Sequence, residues 1–98
     1  MIHVIMRHKV ADYGRWKEAF DAHLNTRKAG GEIAARLLLS VEDPRDVTLV
    51  MDWDGLDRAR KFAASDELKQ TMQKAGVIGE PEIRFLEDAF TARRSAAD

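Results

Sequence analysis

The spacing of apolar residues switches between a strand-like and a helix-like period along this chain, and the order of the switches constrains the fold more than any other feature. Ile2 to Val10 alternates, with Ile2, Val4, Met6 and Val10 on one parity and His3, Ile5, Arg7 and Lys9 on the other, as in a half-buried strand. Asp12 then offers an N-cap carboxylate. Tyr13, Trp16, Phe20 and Leu24 follow at three- and four-residue steps as far as Gly30-Gly31, which predicts one amphipathic helix of about four to five turns. Glu32 to Val41, rich in Ile, Ala and Leu, predicts a second strand that stops at the turn Glu42-Asp43-Pro44-Arg45-Asp46. Val47 to Trp53 alternates again and closes a hairpin. Leu56 to Ala63 has a short helical face, and Ser65 caps a second segment with Asp66 and Glu67 in its first turn, running to Gly76. Beyond Gly79 and Pro81, Glu82 to Phe90 alternates as a fourth strand. Residues 91–98 are small and charged and predict a frayed tail, leaving 1–90 as one domain.

The order βαββαβ predicts an α+β, ferredoxin-like fold: a four-stranded antiparallel sheet with the helices on one face. With 98 residues there is room for one such domain. Ile2, Val4, Met6, Ile33, Ala35, Leu37, Leu49, Met51, Ile83 and Phe85 share the parity expected to meet the helices. The opposite parity mixes apolar and charged groups: His3, Ile5 and Arg7; Ala34, Arg36 and Leu38; Thr48, Val50 and Asp52; Arg84 and Leu86. A monomer would leave Ile5, Leu38, Val50 and Leu86 in water, a large apolar patch for a small domain. A second copy packed face to face would bury it, and a short chain gains most from such burial.

Composition narrows the function classes. Hydrophobic residues make up 45% and charged residues 34%, which is globular usage rather than that of a disordered chain. Seventeen acidic against sixteen basic side chains give a net charge of -1, so no excess of positive charge points to a nucleic acid. The absence of cysteine removes disulfides, thiolate nucleophiles and sulfur-ligated zinc, and fits a reducing, cytoplasmic compartment. Met1 to Arg7 does not follow the pattern of a secretory signal, and no uncharged run approaches the roughly 20 residues that span a bilayer, so no membrane partner is expected.

Several stretches together resemble the dimeric α+β barrel superfamily, and within it the small antibiotic-biosynthesis-monooxygenase-like and polyketide-cyclase-like proteins. They are Val10-Ala11-Asp12-Tyr13-Gly14-Arg15-Trp16-Lys17-Glu18-Ala19-Phe20, the hairpin from Glu42-Asp43-Pro44 to Met51-Asp52-Trp53-Asp54, Ala59-Arg60-Lys61-Phe62-Ala63 with Ser65-Asp66-Glu67-Leu68, and Gly76-Val77 to Pro81. The resemblance implies a homodimer whose two sheets form an α+β barrel, with a small-molecule cavity in each subunit. It brings with it cofactor-independent oxygenases acting on polycyclic phenols, cyclases, haem-degrading enzymes and members without known activity. Haem degraders of this superfamily use an Asn on the first strand and a His on the second helix. Here the first strand has no Asn and Leu56 to Ala75 no His, so haem degradation is not expected.

His3, His23 and Asp52 are the candidate bases. No two of the three histidines share the spacing of a paired ligand site, so neither a metal nor another cofactor is expected. His23 lies seven residues after Trp16 and would border a cavity, against the plainer reading of a half-exposed helix histidine. Arg7, Arg36 and Arg84 could hold a carboxylate or enolate oxygen with Asp52 or His3 as base; alternatively Arg7 and Asp52 simply pair across neighbouring strands. Tyr13, Trp16 and Trp53 would line an aromatic pocket or belong to the core. Two functions follow: a small cofactor-independent monooxygenase or cyclase acting on an aromatic or polyketide-like substrate, and a non-catalytic dimer that binds a ligand or acts in stress.

Overall fold

The computed structural model describes residues 1–94. Its elements run β1 (Ile2–Val10), α1 (Tyr13–Ala22), α2 (Leu24–Gly30), β2 (Glu32–Leu39), β3 (Asp46–Trp53), α3 (Leu56–Ala63), α4 (Asp66–Lys74) and β4 (Val77–Glu87). The strands form one antiparallel sheet in the order β2-β3-β1-β4 with the helices on one side, the ferredoxin-like α+β arrangement expected from the periodicity. No helix among the described residues is long and apolar enough to cross a membrane.

The core forms where the apolar parity of β1 and β3 meets the helices. Val4, Met6, Leu49, Met51 and Trp53 are buried with Ala59 of α3 and Leu68 of α4. A second cluster joins Val10 and Val47 to Trp16 and Ala75 at the other end of the sheet. Local signals place the helices. The Asp12 side chain accepts from the Arg15 N–H at 3.1 Å, and Ser65 Oγ accepts from the Leu68 N–H at 3.2 Å, so each cap satisfies a backbone donor left free in a first turn. Gly31 sits at φ 123, in the left-handed region, where a Cβ would lie 2.8 Å from Trp53 Nε1. That close approach lets the indole donate to the Gly30 carbonyl at 3.1 Å and ties the α2–β2 corner to β3.

Three expectations change. The helix expected to run unbroken from Tyr13 to Gly30 divides at His23, whose backbone N–H is shared between the Ala19 and Phe20 carbonyls at 3.1 and 3.2 Å. The fourth strand begins at Val77 instead of Glu82 and ends at Glu87, short of Phe90. Pro81 is tolerated because it lies in an edge strand, where one N–H goes unused. Ile33 and Ala35 are exposed although they were expected beneath the helices: β2 is an edge strand, and its register against β3 shifts between Glu32 and Ala34 at Ile33. Residues 91–94 are exposed and without regular structure, and the rest of the expected tail, 95–98, lies outside the described residues.

Candidate functional site

A cavity of about 40 Å³ lies between the sheet and the helices. Its floor is Met6, His8, Leu49 and Met51 of β1 and β3; its walls are Trp16, Phe20 and His23 from the first helical pair, and Phe62, Leu68 and Met72 from the second. The aromatic wall is organised. Trp16 stacks on Phe20 with centroids 5.3 Å apart and planes 18° apart, and meets the His8 ring edge-on at 5.4 Å and 62°. Such a lining suits a flat, apolar guest and leaves the few polar groups to orient it.

Two of those polar groups are imidazoles. His8 belongs to the buried parity of β1 and is 5% exposed, and neither ring nitrogen has a hydrogen-bond partner among the described residues. Burial without a partner pushes its pKa below the ordinary histidine value of 6.5, so the ring is neutral near pH 7. An orphaned buried donor and acceptor is an energetic cost of about 1–3 kcal/mol. His8 also stands where β4 departs from register. Between the Arg7–Glu82 and Lys9–Ile78 pairs, β1 advances past His8 alone while β4 accommodates Gly79, Glu80 and Pro81, with Gly79 at φ 73. Bulges of this kind re-aim side chains beside functional sites.

His23 lines the cavity at the point where the helix divides. Its buried Nε2 has no hydrogen bond among the described residues, and the Glu67 carboxylate lies 3.7 Å away. Arg27 holds the break. Its guanidinium is 3% exposed, donates from Nε to Glu32 at 2.5 Å and from Nη1 to the Phe20 carbonyl at 2.5 Å, and lies 3.7 Å over the Phe20 ring. The arginine of one buried ion pair thus donates to the Phe20 carbonyl at the helix break and fixes a ring of the cavity wall.

The structure separates the residues expected at a single site. Trp16 and His23 line the cavity, and Tyr13 stacks behind Trp16 at 6.1 Å. Trp53 is buried in the core against Phe62, centroids 4.6 Å apart. His3, Arg7, Arg36, Asp52 and Arg84 have the parity of the open side of the sheet, away from the cavity. There the expected Arg7–Asp52 pair is absent, because the register sets His3, not Arg7, opposite Asp52. Arg7 instead forms a two-pronged pair with Asp46, at 3.1 and 2.8 Å, and holds that carboxyl below its usual pKa. His3 donates from Nδ1 to Asp52 at 2.7 Å and from Nε2 to Asp88 at 2.6 Å. Both nitrogens can donate only in the protonated ring, and these bonds, that to Asp88 foremost, raise its pKa.

His8 and Arg27 are the cavity residues that the sequence reading passed over. The signal was present in both cases as a polar side chain on an apolar stripe: His8 between Met6 and Val10, and Arg27 seven residues beyond Phe20.

No family model matches the chain, and no curated protein matches it. Solved structures do. The crystal structure of an antibiotic biosynthesis monooxygenase is 11% identical over 91% of this chain and 99% of that one, with a TM-score of 0.68. A conserved protein from Methanosarcina mazei Go1 is 16% identical over 90% and 92%, with a TM-score of 0.71. SnoaB, a cofactor-independent oxygenase from Streptomyces nogalater, is 16% identical over 99% and 97%, with a TM-score of 0.66. At such identities the likeness is one of fold, and it is the fold the resemblance led one to expect.

Proposed function

From a fold shared with antibiotic biosynthesis monooxygenases and with a cofactor-independent oxygenase, we propose that this protein binds a flat aromatic or polyketide-like molecule between sheet and helices and oxidises it without a cofactor. The observation that carries the reading is His8: a buried, unpaired, neutral imidazole at the floor of an aromatic cavity. Such a ring stays unprotonated near pH 7 and can act as a general base, with burial rather than a protein partner setting its basicity. With a polycyclic phenol bearing an acidic methylene, the Nε2 or Nδ1 lone pair takes one C–H proton and leaves a carbanion. Dioxygen, the second substrate, receives that electron pair and bonds to the carbon. The imidazolium returns its proton to the peroxide oxygen, and loss of water, taking the second methylene hydrogen, leaves a carbonyl. His23 is the second polar group placed to meet the oxygen on which the carbanion's charge is delocalised.

The open side of the sheet supports a homodimer in this reading. Leu38 and Leu86 are 47% and 37% exposed beside the half-buried Ile5 and Val50, and a second copy covers all four.

One observation favours the non-catalytic alternative. A cavity of about 40 Å³ is filled chiefly by its own side chains and is far below the roughly 300 Å³ at which ligand sites begin, so a guest must displace the flexible Met6, Met51 and Met72. The deciding experiment is oxygen uptake with an anthrone-type tricyclic phenol and no added metal or flavin. Uptake that depends on the protein and disappears in His8→Leu supports the oxygenase; tight binding without uptake supports the ligand-binding dimer.

A further inference from the structure

Two hollows meet at His23. On the outer side of His23, Phe62 and Leu68, which line both, lies a cleft of about 280 Å³ between the end of α2 and the α3–α4 corner. A fused-ring molecule seated against His8 outgrows the inner cavity, and these three side chains are where the inner space continues. The chemistry of the cleft differs from that of the cavity. Ser65 Oγ is already committed, donating to the Phe62 carbonyl at 2.8 Å and accepting from the Leu68 N–H. Arg58 is paired with the Asp54 carboxylate and donates to the Ala29 carbonyl at 2.6 Å. Glu67 stands 3.7 Å from His23. Lys61, the residue before Phe62 on α3, lines the cleft and has no ion pair among the described residues. Arg58 and Lys61 are the cleft's permanent cations, and of the two Lys61 is the one with no carboxylate partner among the described residues.

We propose that this cleft is the subsite for an anionic substituent of the ligand, with Lys61 as its counter-ion; the inference rests on the inner cavity being the aromatic site. The ligand class is then a planar aromatic carboxylate: rings against Trp16 and Phe20, carboxylate at Lys61. The charge also supplies orientation, since the apolar wall would accept a flat ring in either sense.

The test is isothermal titration calorimetry of the full chain at low salt with two probes, 1-naphthol and 1-hydroxy-2-naphthoate, on the unaltered protein and on Lys61→Gln. An ion pair to the exposed Lys61 predicts that the naphthoate binds about three- to fivefold tighter than the naphthol. Lys61→Gln should erase that advantage and leave the naphthol unchanged, and 0.5 M salt, as a probe of screening, should shrink it to about a factor of two or less. Equal affinity for the two probes, or an advantage that survives Lys61→Gln, overturns the subsite while leaving the aromatic cavity standing. Failure of both probes to bind overturns the subsite and the cavity reading together.

Discussion

Replacing His8 by leucine should make the protein more stable and less active at once. The imidazole is 5% exposed with both nitrogens unpaired, and an unsatisfied buried polar group costs about 1–3 kcal/mol. Leucine is close to histidine in volume, presents no polar atom, and meets Met6, Trp16 and Leu49 with hydrocarbon. The expected gain at pH 7 is therefore about 1–2 kcal/mol, and each kcal/mol moves the midpoint of a domain this size by about 4–8 °C. The pH dependence adds a sign. The folded pKa of His8 lies below 6.5, so below pH 6.5 the unfolded chain binds a proton that the folded one refuses. The stability contribution of neutral His8 is whole above 6.5 and is lost as pH falls from there through the folded pKa. His8→Leu escapes that loss, so its advantage should widen between pH 7 and pH 5.5 by circular-dichroism melting. A variant that melts below the parent at pH 7, or an advantage identical at the two pH values, would refute the picture of an unpaired neutral imidazole.

Three more outcomes follow from the same structure. Arg27→Ala leaves the Glu32 carboxylate buried without its partner and should cost about 3–5 kcal/mol in urea unfolding, whereas Arg27→Met with Glu32→Leu should cost much less. The NMR titration midpoint of His3 should lie above 6.5 and drop in Asp88→Asn. The stabilisation lost in that variant should be fully present below pH 6.5, down to the range where Asp88 itself takes a proton, and should fade as pH rises through the midpoint of His3. Leu38→Asp puts a charge on the open face of the sheet and should shift the native mass from two chains to one; an unshifted dimer would place the interface elsewhere.

The order of elements was legible because each strand and helix follows the period of its own apolar residues. What escaped was where tertiary contacts override that period. The break at His23 depends on Arg27 reaching the Phe20 carbonyl from the far side of the break, a contact no local pattern announces. The early start of β4 was hidden by Gly79 and Pro81, which read as loop residues yet serve a bulge beside His8. The site was half legible for a related reason. Charged groups on the mixed parity drew attention to His3, Arg7 and Asp52, which the register assigns to surface ion pairs. The unpaired imidazole of the cavity is the one polar side chain of β1 on the apolar parity, where a histidine flanked by Met6 and Val10 is easily taken for packing.

The three histidines report on the central claim directly, because His8 and His23 line the cavity and His3 lies on the opposite face of the sheet. Long-range proton–nitrogen spectra of the labelled protein, titrated with 1-naphthol, follow all three rings at once. The account predicts saturable shifts at His8 and His23 with His3 unmoved. Shifts confined to His3, or none at His8, would contradict it.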